Sequence, residues 1–302
     1  MLLVPGSSDT RGQGAGDSAV RDAERTRVAL SIAGSDSGGG AGVQADLKAF
    51  AACGVHGTCA ITAVTVQDTM AVHAVHPLPA EIVFAQARAV VRDIGVDAVK
   101  VGMLASAPVA DAVAEVLEEL PEALPVVVDP VMLASTGARL LDESAQAILL
   151  SRILPRASVL TPNLPEARAL VRMATGGEDD GRAEAMVARD LLVEIGALGP
   201  RAVVLTGGHS EEPVDLFWQA ARPDDVVEIT GERARPGADH GSGCTHSAVL
   251  AAELAKGATR LHAAQRAREL TGWAIASGLL GVGLGNGPVD VLARVRRESR
   301  EL

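Results

Sequence analysis

The chain has 302 residues, 48% of them hydrophobic and 22% charged, which fits one large α/β domain or two smaller ones and excludes a disordered protein. A formal net charge of −11 argues against nucleic acid as the main partner, since binding a phosphate backbone needs a basic face. Aromatic residues are only 2%, with no Tyr, which argues against a site built on base stacking.

Residues 1–26 are rich in Gly, Ser, Asp and Arg and carry no apolar core segment. They read as a disordered tail ahead of a single domain over 27–302. No run elsewhere approaches the ~20 apolar residues of a membrane span. The three cysteines, Cys53, Cys59 and Cys244, make no CxxC pair and no metal-ligand spacing. An odd count with no secretory signal points to a reducing, cytoplasmic setting.

After the tail, nearly continuous apolar runs predict strands at 28–33, 58–66, 98–103, 126–129, 158–161 and 202–206. Runs of this kind suit strands buried on both faces of a parallel sheet. Between them, Ala/Leu-rich patterns predict helices at 43–52, 80–94, 107–120, 143–153, 166–173 and 184–195, with Gly54 and Gly196 as terminators. Strands at 214–219 and 226–230 follow, separated by a Pro-Asp-Asp turn signal at 223–225. Helices at 243–256 and 262–280 and a glycine-dense ending complete the chain. The alternation reads as a doubly wound α/β sandwich with ligands beyond the C-terminal strand ends.

No GxxxxGK[ST] P-loop, GxGxxG fingerprint or HExxH motif is present. Three glycine-rich turns remain, each following a strand. The first, Gly34-Ser-Asp-Ser-Gly-Gly-Gly-Ala-Gly42, leads into a helix bearing Asp46. Its glycines let backbone approach a ligand closely, while Asp46 reads as a cleft-facing or a solvated helix charge. The second is Thr206-Gly207-Gly208-His209, a nucleotide-approaching loop or an ordinary turn. The third, His240-Gly241-Ser242-Gly243-Cys244, opens a small-residue helix whose first N–H groups lack intrahelical partners. Those donors suit a transferring phosphoryl group. Cys244 falls in the first turn, where the helix dipole favours thiolate and makes it a candidate general base. His240 and His246 read as structural.

Asn163 and Glu166 stand three apart at a strand-to-helix junction, and their oxygens suit Mg²⁺. The same spacing makes an N-capping box, and both readings stay open. Asp129 ends a buried strand, where a carboxylate points to function.

Together these segments resemble the ribokinase-like superfamily, and more closely its hydroxymethylpyrimidine/phosphomethylpyrimidine kinase branch. The likeness is carried by AGSDSGGGAGVQADLKAF, AITAVTVQDT, KVGMLAS, VVDPVMLASTG, LTPNLPEA, LTGGH, HGSGCTHSAVLAA and GNGPV, in family order from about Val28 to Val289. The resemblance implies a three-layer α/β/α sandwich with a mostly parallel central sheet. It implies phosphorylation by ATP, with Mg²⁺, of 4-amino-5-hydroxymethyl-2-methylpyrimidine and then of its monophosphate, in thiamine diphosphate biosynthesis. By position, Asp46 and Gln67 contact the aminopyrimidine, with Gly34 and Met103 lining that pocket. Gly241, Ser242 and Gly243 form the anion hole, and Cys244 takes the base position. Asn163, Thr206 and Gly208 bind ATP, and Asp129, Asn163 and Glu166 organise the metal. The small molecule and ATP are the implied partners, with no nucleic acid, no membrane and a homodimer as relatives suggest.

Thr206 departs from the pattern, standing where many relatives have Lys before Gly-Gly-His. Ser37 and Ser242 replace Pro and Thr, both mildly. Two other readings are a pyridoxine/pyridoxal kinase, whose substrate also carries a hydroxymethyl group, and a non-catalytic pyrimidine-binding regulator, favoured only by Thr206.

Overall fold

Val, Ile, Leu and Ala fill the central strands on both faces, so each strand must lie between two layers of helix. The computed structural model describes residues 25–132, 142–176, 181–207, 214–231 and 238–298. Most of the expected tail, and Gly208, lie outside these. The strands are β1 (Val28–Ser35), β2 (His56–Gln67), β3 (Val72–Pro77), β4 (Ala98–Val101), β5 (Val126–Val128), β6 (Val159–Leu160), β7 (Ala202–Leu205), β8 (Val214–Gln219) and β9 (Arg222–Thr230). They form one sheet in the order β3-β2-β1-β4-β5-β6-β7-β8-β9. The six central strands, β2-β1-β4-β5-β6-β7, are parallel, and β3, β8 and β9 pair antiparallel at the edges.

The helices are α1 (Gly42–Ala52), α2 (Ala80–Asp93), α3 (Ala107–Glu119), α4 (Glu143–Ile148), α5 (Leu164–Ala174), α6 (Arg182–Ala185), α7 (Ala188–Gly196), α8 (Ser242–Ala255), α9 (Arg260–Ala276) and α10 (Ala293–Glu298). Two separate buried cores show the layering. Helices α2, α3, α5 and α7 pack on one face of the sheet, and α1, α8 and α9 on the other. The expected three-layer α/β/α sandwich is what forms.

Strand order reverses between β1 and β4, because the chain runs from β1 outward to β2 and returns to β4 on the other side. In open α/β sheets, ligands bind at such a switch point, beyond the carboxyl ends of the strands. The first glycine turn, Met103, Asp129, Asn163 and Thr206 all follow the ends of parallel strands on this rim.

Several elements differ from the sequence reading. Strand β3 is not among the expected strands: Val-His-Ala-Val-His-Pro is largely exposed at the sheet edge and shows no buried run. The expected Pro-Asp-Asp turn lies inside β9, and the hairpin turns at Ala220 and Ala221 instead. Because β9 is an edge strand, Pro223 breaks no ladder there, and its carbonyl accepts a 2.9 Å hydrogen bond from Trp218 Nε1. Gly54 ends α1 with a left-handed φ of 72°, as expected. Gly196 does not terminate its helix that way. A side chain there would strike the Trp218 ring at 2.3 Å, so this glycine serves packing.

Candidate active site

Two glycine turns interlock at the rim. Gly241 is the N-cap of α8 with a φ of 78°, and a Cβ on it would lie 1.7 Å from the Gly40 carbonyl oxygen. A Cβ on Gly40 would meet the His240 ring at 2.3 Å. Both positions therefore need glycine for close approach.

Asp36 organises the first turn from within. Its Oδ1 accepts from the Gly38 amide at 2.8 Å, and Oδ2 accepts from the amides of Gly40 and Ala41 at 3.0 and 2.8 Å. His240 Nε2 lies 3.0 Å from the same Oδ2, so one buried carboxylate ties both turns together. Burial alone would push Asp36 up, but His240 and these amides hold it below the ordinary aspartate value. His240 is structural here, as the sequence suggested.

At the start of α8, the Ser242 amide donates to the Asp239 carbonyl at 3.0 Å. Of the expected anion-hole residues Gly241, Ser242 and Gly243, Ser242 has its amide turned away, because the left-handed Gly241 folds that N–H back into the turn. The Gly243 and Cys244 amides have no acceptor among the described residues. A Cβ on Gly243 would meet nothing within 4 Å, so the mouth above it is open.

Cys244 is half-buried, and the Gly42 amide donates toward its sulfur. The expected shift toward thiolate is not what the surroundings give. Burial pushes the thiol up to about 12; Lys100 pulls it down, and Asp129 and Asp46 add to the rise. Desolvation and the two carboxylates outweigh Lys100 and the Gly42 amide.

Asp46 is fully buried. Its oxygens accept from Lys100 Nζ, at 3.0 Å each, and from Ser31 Oγ at 2.5 Å. Burial raises its carboxyl above the ordinary value, although Lys100 and Ser31 offset part of that. Its expected place facing a ring is thus occupied by a lysine that sequence reading absorbs into an apolar strand.

Gly34 and Met103 do come together. A Cβ on Gly34 would lie 2.3 Å from Met103 Cε, and the Met103 carbonyl accepts from Thr62 Oγ1 at 2.6 Å. Gln67, at the end of β2, stands beside the first turn, where Ser37 Oγ bonds its carbonyl at 2.6 Å. Its Oε1 accepts from Thr65 Oγ1 at 3.2 Å.

Asn163 and Glu166 form the capping box: Asn163 Oδ1 accepts from the Glu166 amide and Glu166 Oε2 from the Asn163 amide, both at 2.9 Å. The box leaves Glu166 one oxygen. Burial and then the nearby Asp129 push Glu166 up to about 8, so the two carboxylates crowd each other. Asp129 Oδ2 accepts from Ser247 Oγ at 2.9 Å, leaving Oδ1 for other use. Among the described residues no cluster of three or more His, Cys, Asp or Glu makes a closed metal cage. A pair of carboxylates with free oxygens beside an amide suits Mg²⁺, which keeps waters and substrate phosphates as its other ligands.

Thr206 bridges to Asn163, and its amide donates to the Pro162 carbonyl at 2.9 Å. The Gly207 amide donates to Asp215 Oδ1 at 2.9 Å. Asp215 also lies 3.5 Å from His246 Nε2 and 3.6 Å from Arg268 Nη1, a buried charged cluster that anchors this turn to α8 and α9. His246 is structural too.

Known proteins are similar to this chain in sequence and in fold. The sequence profile described as Phosphomethylpyrimidine kinase matches residues 36–290. A hydroxymethylpyrimidine/phosphomethylpyrimidine kinase of Rhizobium meliloti is 45% identical over 267 residues, covering 87% of this chain and 96% of that protein. One of the same name from Bacillus subtilis is 41% identical over 268 residues, covering 88% and 94%. Among solved structures, an ADP complex of Bacillus subtilis pyridoxal kinase superposes with a TM-score of 0.76 at 34% identity, covering 90% of this chain and 100% of that one. A phosphomethylpyrimidine kinase from Clostridium difficile gives 0.65 at 35% identity, covering 80% and 96%. With its profile matched across both glycine turns and the carboxylate pair between them, the chain belongs to the phosphomethylpyrimidine kinase family.

Proposed function

We propose that this protein transfers the γ-phosphoryl group of ATP to the hydroxymethyl group of 4-amino-5-hydroxymethyl-2-methylpyrimidine. It then phosphorylates the monophosphate, giving the diphosphate for thiamine diphosphate biosynthesis. The observation that carries this reading is the convergence of Cys244 and two free helix-start amides with the Asp129–Glu166 pair at one sheet rim.

In this reading Gln67, Gly34 and Met103 hold the pyrimidine, with Asp46 acting from beneath. Gly241, Ser242 and Gly243 shape the anion hole, whose donors are the Gly243 and Cys244 amides. Asn163, Thr206 and Gly208 lie along ATP. Asp129 and Glu166, with Asn163, would hold Mg²⁺, which supplies charge neutralisation of the phosphates. The substrate oxygen forms its bond to the γ-phosphorus as the bond to the ADP oxygen breaks, and the hydroxyl proton passes to Cys244 in its thiolate form, the minority form at neutral pH because burial raises the thiol. Such transfer runs through a loose transition state, so positioning and charge matter more than base strength. Thr206 brings no cation, which leaves the backbone donors and Mg²⁺ to carry more of the phosphate charge. The same reading makes the protein a cytoplasmic homodimer.

The test is product mass after incubation with the hydroxymethylpyrimidine, ATP and Mg²⁺. Diphosphate supports the proposal, monophosphate alone removes the second step, and no product refutes it. A second activity toward pyridoxal is favoured by one observation: the Bacillus subtilis pyridoxal kinase superposes over more of the chain than the Clostridium difficile enzyme. Pyridoxal belongs in the same assay as a competing substrate.

A further inference from the structure

Lys100 is a fully buried lysine in a four-residue strand whose other members are apolar. Side chains alternate along a strand, and Val99 and Val101 belong to the core under α2 and α3. Lys100 therefore points to the opposite face, beneath α1 and α8. Its ammonium lies at the carboxyl end of β4, where a Cβ on Gly102 would be 2.9 Å from Nζ. There it is fixed on Asp46 of α1, with both side chains fully buried. Ser31, the strand neighbour of Lys100 in β1, closes the arrangement from the other side.

A buried ion pair is weak evidence for stability, because desolvating two charges costs about as much as their attraction returns. The position of this one gives it another use. Cys244 lies in the first turn of α8, which packs on both β1 and β4, and its sulfur takes the amide of Gly42, one helical turn before Asp46 on α1. The charged groups acting on the sulfur are Lys100 from β4, Asp129 from the end of β5 and Asp46 from α1. Lys100 is the one cation among them.

We propose that Lys100 is a positioning residue for phosphoryl transfer: held by Asp46, its ammonium is the fixed positive charge that favours the thiolate of Cys244, the form that accepts the hydroxyl proton. The inference rests on the kinase reading given above. Burial alone would push the Lys100 ammonium below the ordinary lysine value, but Asp46, then Cys244 and Asp129, hold it above, so the charge persists at neutral pH. Lys100 itself neither donates nor accepts a proton in the step.

The test reads the thiol directly. Full-length protein without nucleotide is alkylated with iodoacetamide at pH 8.5, and the rate is followed by mass spectrometry on the Cys244 peptide. Lys100→Gln keeps a hydrogen-bond donor for Asp46 but removes the charge. It is expected to slow alkylation roughly tenfold or more, the effect of one pKa unit on the thiolate fraction. In turnover it lowers kcat while KM for the pyrimidine stays within about twofold, as for an interaction made only in the transition state. Lys100→Arg keeps the charge and retains most of both rates. Should Lys100→Gln fail to fold, the neutral pair of Lys100→Gln with Asp46→Asn is measured instead. Its alkylation is still slower than wild type, since Lys100 acts on the sulfur more strongly than Asp46 does. An unchanged or faster rate in a folded charge-free variant, or an Arg variant as slow as Gln, overturns the proposal. Alkylation needs no substrate, so its rate tests the role of Lys100 even if no pyrimidine is phosphorylated.

Discussion

His240 Nε2 and Asp36 Oδ2 lie 3.0 Å apart, and through that contact the turn beside the pyrimidine pocket is registered against the turn that begins α8. Asp36 is held below its ordinary value, so the stability it contributes is complete above the unfolded value near 3.8 and is lost as pH falls through the folded one. Asp36→Asn is therefore expected to lower Tm at pH 7, and the gap from wild type should close as pH falls below about 4. A gap that widens on acidification refutes the sign. The measurement is thermal unfolding by circular dichroism across that range.

Gly241 and Gly243 are two residues apart and answer to different constraints. Gly241→Ala places a methyl against the Gly40 carbonyl in a left-handed conformation, which costs about 1–2 kcal/mol before any clash is counted. A Tm loss of roughly 4 °C or more is expected, together with loss of turnover. Gly243→Ala meets no atom within 4 Å, so Tm is unchanged or slightly raised, yet the methyl narrows the mouth and turnover falls. Equal Tm losses in the two variants would contradict this division.

Cys244→Ala removes the proton acceptor and leaves the backbone amides in place. Turnover is expected to fall about 10²-fold, a usual size for a lost general base, while KM for ATP changes little. Steady-state kinetics with ATP as varied substrate checks it, and parallel losses in kcat and in ATP affinity would remove Cys244 from that role.

Glu166→Gln keeps an acceptor for the Asn163 amide but loses the ability to ionise beside Asp129 as Mg²⁺ binds. The Mg²⁺ concentration for half-maximal turnover is expected to rise about tenfold, within the range for altered metal-site partners. The capping box persists, so Tm at pH 7 does not fall. Chelation of all divalent cation abolishes turnover in both proteins.

The central strands are legible in the sequence because burial on both faces leaves an unbroken apolar run, and β1, β4, β5, β6 and β7 fall where those runs predict. Strand β3 is not, since an exposed edge imposes no such pattern on Val72–Pro77. Glycine turns announce themselves by composition, so the two halves of the site can be found separately. What joins them cannot. Asp36 and His240 are 204 residues apart, and Asp46 and Lys100 are 54 apart. A lone Lys inside Ala-Val-Lys-Val is the available signal, and its neighbours' hydropathy hides it. The state of Cys244 escapes sequence reading for the same reason: spacing reveals the helix dipole, but the packing of Asp46, Lys100 and Asp129 around the thiol appears only in three dimensions.

The interlocking of Gly40 with Gly241 also sets when this enzyme comes into being. The first turn, β1 and α1 leave the ribosome early, whereas its counterpart arrives some two hundred residues later. Closing so long a segment costs chain entropy that only the finished sheet and the docked α8 can offset. A nascent chain that has formed the parallel sheet still lacks the Cys244 thiol and the amides beside it. Activity thus serves as a readout of completed folding, and a partly made copy has no assembled site in which to spend ATP.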